Sequence, residues 1–382
     1  GLWVGAKVNG ETRVTVAEYD YEYGPGKILP GGGWDDVTDP RLRIYKIVRG
    51  DTSSPDYLGW PVADGAPVDA QGHPAFLGEQ TLWAVYNDAD PVLHAANPGS
   101  TTPLGIEVQQ TLFADLQTGA RDHTIFMRFK ILNRGGLTLD SAYVAMWCDP
   151  DLGGPGDDLV GCDTLLSLGY CYNANNADNQ YGSRPPCPGY DFFQGPLVFT
   201  GDEADTALMW DTTWVGYTNM GLYSFNKYIN GTDPNDAGES YNYMQGFNAD
   251  GSVYTYNGFP TKYFVAGDPV AGTGDLDFSP ADRRFMQSTG PITFRPGDSV
   301  EILAAIIVGD GTDRKSSISV MKYYDVFAQK AYDDNFVVAK SPIAPVVDVV
   351  GLNGMVSLAW TDTSEIDHGD YPFEGYTIYQ GA

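Results

Sequence analysis

The stretches IFMRFKI (residues 125–131) and VEILAAIIV (300–308) decide the fold. In the first, Ile125, Met127, Phe129 and Ile131 alternate with a face carrying Arg128 and Lys130, the period of two expected of a half-buried antiparallel strand. The second is almost wholly apolar, as a central strand covered on both faces would be. Working outward, Ile106 and Val108 alternate with Glu107 and Gln109, and Tyr143–Trp147 adds another strand. Toward the N-terminus, Leu2–Val8 and Thr12–Tyr19 predict a hairpin across Asn9-Gly10, a type I′ turn pair. Leu42–Val48 and Thr81–Tyr86 are further strand candidates, separated from the hairpin by a Gly/Pro-rich loop at residues 24–33.

Composition agrees with this pattern. The chain has 382 residues with 46 Gly, 25 Pro, 25 Tyr, 17 Phe and 8 Trp, the balance of many short strands joined by turns. The reading is all-β: antiparallel, jelly-roll-like β-sandwich domains with one covering α-helix. That helix is predicted over Ser316–Tyr332, after Asp310-Gly311-Thr312, with Val320, Tyr324, Phe327 and Ala331 forming one apolar stripe. The expected organisation is an N-terminal β-rich region over 1–100, a main sandwich over 101–340, and the first strands of a fibronectin type III-like domain over 341–382. A linker at 339–345 introduces that last region, with strands expected at Val346–Val350, Met355–Trp360 and Gly375–Tyr379 and Trp360 as its core tryptophan.

Acidic residues outnumber basic ones 50 to 22, for a formal net charge of −28. Such a surface repels phosphate, so nucleic acid and anionic membranes are not expected partners. No apolar run is long enough to span a bilayer as a helix. The chain, which starts at Gly1 and ends at Ala382, is read as the mature part of a longer precursor.

The most unusual segment is WCDPDLGGPGDDLVGCDT, residues 147–164. Asp149, Asp151, Asp157, Asp158 and Asp163 are interleaved with glycines there, the residue types that bring six to eight oxygens round a calcium ion. Its spacing is not that of an EF-hand, and the rival reading is a solvated acidic loop. A second acidic loop, Asp268–Asp282, is a weaker candidate. Four cysteines, Cys148, Cys162, Cys171 and Cys187, cluster around the segment and point to disulfides in an oxidising compartment. Three connectivities exist, and Cys148–Cys162 with Cys171–Cys187 is preferred because each closes a short loop around the Asp-rich segment. Zinc is disfavoured because no Cys-x-x-Cys pair and no His occurs in this stretch.

No metalloprotease helix, nucleophile elbow, P-loop or dinucleotide fingerprint is found, and the four His are isolated. No catalytic residue is assigned and no enzymatic activity is expected. A hydrolase using two of the 50 carboxylates is the minority reading. Tyr170, Tyr172, Tyr181 and Tyr190, with asparagines between them, are read as a platform for glycans or for a neighbouring subunit.

GLWVGAKVNGETRV (1–14), WPVADGAP (60–67), LWAVYNDAD (82–90), PLGIEVQQT (103–111), DPDLGGPGDDLVGCDT (149–164) and PADRRFMQSTGPITFRPGDSVEILAAIIVG (280–309) resemble a family of large secreted bacterial cell-surface proteins. The resemblance implies fibronectin type III or Ig-like repeats and a type IX secretion sorting signal, and it brings no catalytic residues. The expected function is therefore an extracellular structural subunit that self-assembles into a surface layer or filament through β-edges and tyrosine-rich loops. The alternative is a calcium-dependent carbohydrate-binding adhesin module.

Overall fold

The structure, a computed structural model, describes residues 1–19, 22–95, 100–116, 120–210, 212–336, 343–367 and 373–378. Strands β1 (Leu2–Val8), β2 (Glu11–Val16), β3 (Gly24–Pro25) and β4 (Tyr45–Val48) precede a one-turn helix, α1 (Pro55–Leu58). Then come β5 (Gln80–Asn87), β6 (Ile106–Ala114), β7 (Thr124–Asn133), β8 (Leu139–Cys148), β9 (Asp158–Asp163), β10 (Leu168–Asn173) and β11 (Cys187–Gln194). The short strands β12 (Leu197–Phe199), β13 (Thr206–Met209), β14 (Thr212–Val215) and β15 (Tyr217–Asn219) make two small pairings, β12 with β15 and β13 with β14. They are followed by β16 (Ser224–Ile229), α2 (Ala237–Met244), the two-residue strands β17 (Thr255–Tyr256) and β18 (Phe259–Pro260), β19 (Arg283–Phe294), β20 (Ser299–Gly309) and α3 (Arg314–Asp333). The last elements are β21 (Val347–Leu352), β22 (Met355–Trp360) and α4 (Thr363–Ile366).

Two antiparallel sheets form the sandwich. One runs β16-β19-β8-β1-β2; the other runs β3-β5-β6-β7-β20-β11-β10-β9, with β4 also paired to β5. Their facing side chains make the central core: Leu2, Val4, Ala6 and Val8 of β1 and Val144 and Met146 of β8 meet Val108 of β6, Phe129 and Ile131 of β7, and Ile302 and Ala304 of β20. Each such aliphatic side chain removed from water contributes roughly 1.5–3 kcal/mol. The all-β sandwich is what the alternation around 125–131 and the apolar run at 300–308 predict. Only the outermost member of the first run departs, because Ile125 is exposed at the start of β7.

The expected boundary near residue 100 does not exist. β1 and β2 lie in the sheet of β8, and β5 pairs with β6 along its whole length, so residues 1–100 supply strands to both sheets. Contacts divide the chain into one unit over Gly1–Lys330 and a second over Ala331–Ala382.

β1 and β8 are buried on both faces. Trp3, Tyr143, Ala145 and Trp147 point away from the sandwich interior and pack against Tyr241, Tyr243 and Met244 of α2. This second covering helix is absent from the sequence reading, since its eight residues are too few to display a 3.6-residue period. Asp236 starts it by accepting hydrogen bonds from Gly238 N (2.7 Å) and Glu239 N (3.0 Å).

Helix α3 covers the larger sheet, but with a different face from the one expected. Its buried side chains are Ser317, Ile318, Met321, Asp325, Ala328 and Tyr332, whereas Phe327 is exposed and Val320 and Tyr324 are only half-buried. An aspartate in the middle of the true stripe hid it from an apolar-periodicity reading. Glycine makes the seat: a Cβ on Gly309 of β20 would lie 2.3 Å from both Met321 N and Ser317 O.

In the second unit, β21 and β22 form a hairpin whose twelve residues are all exposed, Trp360 included. Trp360 is therefore no core residue here, although its ring meets Tyr376 edge-on. The expected third strand at 375–379 is not formed over residues 375–378, and Tyr379 and residues 339–342 of the linker lie outside the described residues.

Candidate functional site

The five aspartates of the 147–164 segment do not converge. Asp149 accepts a hydrogen bond from the Tyr19 hydroxyl (2.6 Å) and pairs with Arg284 (3.1 Å). Asp157 accepts from Asn173 (3.1 Å) and Asn175 (3.4 Å). Asp158 is buried and accepts from Leu152 N (3.0 Å); burial pushes its carboxyl up to about 7. Asp163 pairs with Lys322 of α3 (2.7 Å). Asp158 and Asp163 bracket β9, where five residues of strand rise separate them by roughly 16 Å and opposite parity sends them to opposite faces. A calcium ion bound by all five is thus excluded by the strand between them.

The acidic group that does come together is Asp149, Asp151 and Asp282, whose carboxylate oxygens lie within 4.8 Å of one another. Arg284 serves this group from inside the protein: its guanidinium contacts Asp149 and Asp282, reaches Asp233 (3.7 Å), and donates from Nε to the Tyr19 hydroxyl (2.9 Å). The weaker acidic loop is likewise matched by its own cations, with Asp277 pairing with Arg283 (2.7 Å) and Lys227 (3.2 Å).

The four cysteines are free and buried, which corrects the expected disulfides. The β10–β11 register sets Tyr170 opposite Gly189 and Gly169 opposite Tyr190. Continued by two residues it sets Cys187 opposite Tyr172, so Cys171 and Cys187 leave opposite faces of the sheet. Burial pushes the Cys148 thiol up to about 12 and the other three higher still, so all are protonated and unreactive.

The tyrosine platform is also mostly interior. Tyr170 and Tyr172 are 0% and 2% exposed and Tyr190 is half-buried, because β10 and β11 are inner strands with covered faces. Only Tyr181 is exposed, at 47%.

Sequence reasoning missed the concavities of the molecule. A cavity of about 490 Å³ opens between the two sheets. Leu2 and Met146 line it from one sheet, and Tyr86, Phe129 and Tyr190 from the other. Tyr23 and Tyr86 meet edge-to-face at 5.1 Å, and the Tyr86 hydroxyl donates to Gln110 Oε1 (3.1 Å). The Tyr23 hydroxyl is buried without a hydrogen-bond partner, and burial holds it far above the usual phenol range. At the mouth Arg43 lies over the Tyr45 ring (4.2 Å) and pairs with Asp56 (2.5 Å). A Tyr-x-x-Tyr or similar motif does not exist for this site: Tyr23, Tyr86 and Gln110 come from separate segments.

A second, polar cleft of about 520 Å³ lies between the 27–32 and 62–65 loops. Glu107, 1% exposed, sits in its wall and accepts from Ile28 N (3.0 Å) and Gln109 Nε2 (3.3 Å). Lys27 pairs with Asp64 across it. Every cation there has a carboxylate partner, as Arg134 reaches Glu107 (3.7 Å).

No family model and no curated protein matches the chain. Among solved structures it is similar to an inverting mannosidase of family GH92 from Bacteroides thetaiotaomicron, at 8% identity and a TM-score of 0.24 over 78% of this chain and 27% of that one. A protein described as an aldose 1-epimerase from Escherichia coli K12 is similar at 9% identity and a TM-score of 0.21, over 60% of this chain and 66% of that one. The chain spans about a quarter of the mannosidase's length. Both neighbours are named as enzymes, so the expectation of a non-enzymatic protein is withdrawn; likeness at these scores carries no argument for a particular activity.

Proposed function

We propose that the chain is a module of a secreted surface protein that associates with further copies of itself by strand addition at its C-terminal hairpin. The observation carrying this reading is that β21 and β22 leave all their residues exposed, with Val349, Val350, Leu352, Met355 and Val356 each more than half exposed. Apolar side chains project from both faces, since Val349 and Val350 are adjacent in one strand. An isolated two-stranded hairpin is marginal in water, and its open edges present unpaired backbone groups that a strand from another chain satisfies. The formal charge of −28 keeps such a module soluble until it meets its partner.

Sedimentation velocity of the whole chain over a concentration series tests this. Val349 and Leu358 are cross-strand neighbours, so Val349→Lys/Leu358→Lys puts two like charges on one face of the hairpin. The wild type is expected to self-associate as concentration rises and the double variant to remain monomeric. A wild type that stays monomeric at its highest soluble concentration overturns the reading.

A further inference from the structure

We propose that the polar cleft between the 27–32 and 62–65 loops is a binding site for an uncharged polyhydroxyl compound, of the size of one pyranose ring. The cleft is built on β6. Val108 points into the sandwich core, so Glu107 and Gln109, one residue to either side, leave the opposite face of the strand and lie under the two loops. Glu107 is 1% exposed and out of a ligand's reach. It holds the floor of the cleft by accepting from Ile28 N (3.0 Å) and Gln109 Nε2 (3.3 Å). Gln109 Nε2 also donates to Asp64 O (3.2 Å), which fixes the amide with Oε1 as its unused atom. Gly65 makes room for that amide, since a Cβ there would lie 2.5 Å from both Nε2 and Oε1.

The groups around the opening are within reach of solvent: the side chains of Lys27, Asp64 and Arg134 are 31%, 34% and 45% exposed. Their charges cancel in two pairs, Lys27 with Asp64 and Arg134 with Glu107 (3.7 Å). An anion or a cation entering the cleft must break one of these pairs to gain a partner of its own, and a zwitterion must open both. An uncharged molecule meets neither obstacle.

What the cleft leaves open is hydrogen-bonding capacity of both kinds. Lys27 Nζ gives one N–H to Asp64 Oδ1 and keeps two. The Arg134 guanidinium donates no hydrogen bond among the described residues, because its contact with Glu107 is too long for one. On the accepting side, Asp64 Oδ2 and Gln109 Oε1 receive none among the described residues. The group that serves such donors and acceptors together is a hydroxyl, with one proton to give and two lone pairs. Neighbouring hydroxyls on a sugar ring supply several at once, whereas an apolar molecule would strip these groups of water and leave them without partners. The volume of about 520 Å³ falls in the size range of small-molecule sites, roughly 300–1,000 Å³.

The test is a ligand-observed NMR titration of the whole chain. Its probes are the methyl pyranosides of glucose, galactose and mannose, which differ in hydroxyl orientation, and 2-methoxytetrahydropyran, a similar ring without hydroxyls. At least one glycoside is expected to saturate, and the hydroxyl-free ring is not. Arg134→Met and Asp64→Ala are each expected to weaken that glycoside about fivefold or more, the worth of one hydrogen bond. Both replace surface side chains, and either one alone decides the matter if the other does not fold. Glycine and sodium sulfate are expected not to displace the glycoside. The proposal is overturned if none of the three glycosides saturates, if 2-methoxytetrahydropyran binds as tightly, or if the cleft variants keep wild-type affinity. Displacement by glycine or sulfate overturns it too, because the ion pairs, not the unused hydrogen-bonding atoms, would then select the ligand.

Discussion

Asp191 of β11 and Asp325 of α3 bring two carboxyl groups together beneath the helix, each residue 1% exposed. Burial is the first cause that raises both above the usual carboxyl range, and for Asp191 the neighbouring Asp325 is the next. Asp191 keeps its proton and donates it to Asp325, which is raised to about 7 with Asp163 pushing it up and Lys322 pulling it down.

A folded-state value above the unfolded one fixes the sign of the pH dependence. The folded chain holds a proton on Asp325 that the unfolded chain, at roughly 4, has already released. The stabilisation from this site is full below that value and declines as pH rises to about 7. The slope is at most about 1.4 kcal/mol per pH unit for one group. Asp325→Asn removes the charge at constant shape. Urea midpoints at pH 5 and pH 8 should separate the two proteins, with the variant gaining most at pH 8. Parallel behaviour of wild type and variant would show that the pair does not titrate in this range. Glu18 and Asp158 are also raised to about 7, which is why the comparison with Asp325→Asn, rather than the wild type alone, is the measurement.

Arg284 gives a second prediction. Its side chain is 7% exposed and faces Asp149, Asp233 and Asp282, so it is the cation around which these acids are arranged. Arg284→Met leaves the half-buried carboxylates of Asp149, Asp233 and Asp282 without their shared cation and should cost about 1–3 kcal/mol in low-salt buffer. Added calcium should restore part of that loss in the variant by neutralising Asp149, Asp151 and Asp282, while moving the wild-type melting temperature little. A wild type that gains as much from calcium as the variant does would make the ion, not Arg284, the partner of this cluster.

The thiols supply a third. All four cysteines are buried and protonated, so Ellman's reagent should find none in the native chain and four after denaturation without reductant. Dithiothreitol should leave the melting temperature unchanged. Two or fewer thiols in the denatured chain would restore the disulfide reading.

How much of this was legible depended on range. The alternation at Met127, Phe129 and Ile131 and the apolar run at 300–308 predict β7 and β20, which pair with each other. Side chains on β10 and β11 were misread for the opposite reason: with both faces covered, polarity stops alternating, and Tyr170 looks like a surface residue. The α3 stripe failed at Asp325, a buried acid that only its distant partner Asp191 explains. The cavity needed β1, β5, β6 and β8 to be brought together, and no local pattern encodes which strands meet across a sandwich.

The seat of α3 is the last prediction. A Cβ on Gly309 would approach Met321 N and Ser317 O to 2.3 Å, and both are backbone atoms of the helix that cannot move alone. A Cβ on Gly189 of β11 meets Met321 too, but at its flexible Sδ, 2.5 Å away. Gly309→Ala must therefore push the whole helix off β20, at a cost of about 1–3 kcal/mol or more, whereas Gly189→Ala asks one methionine to change rotamer. Hydrogen exchange across residues 314–330 separates the two effects. Protection should fall throughout that segment in Gly309→Ala and remain near wild type in Gly189→Ala. Equal loss in both variants would mean that side-chain fit at Met321, rather than backbone approach at Gly309, sets the helix on the sheet.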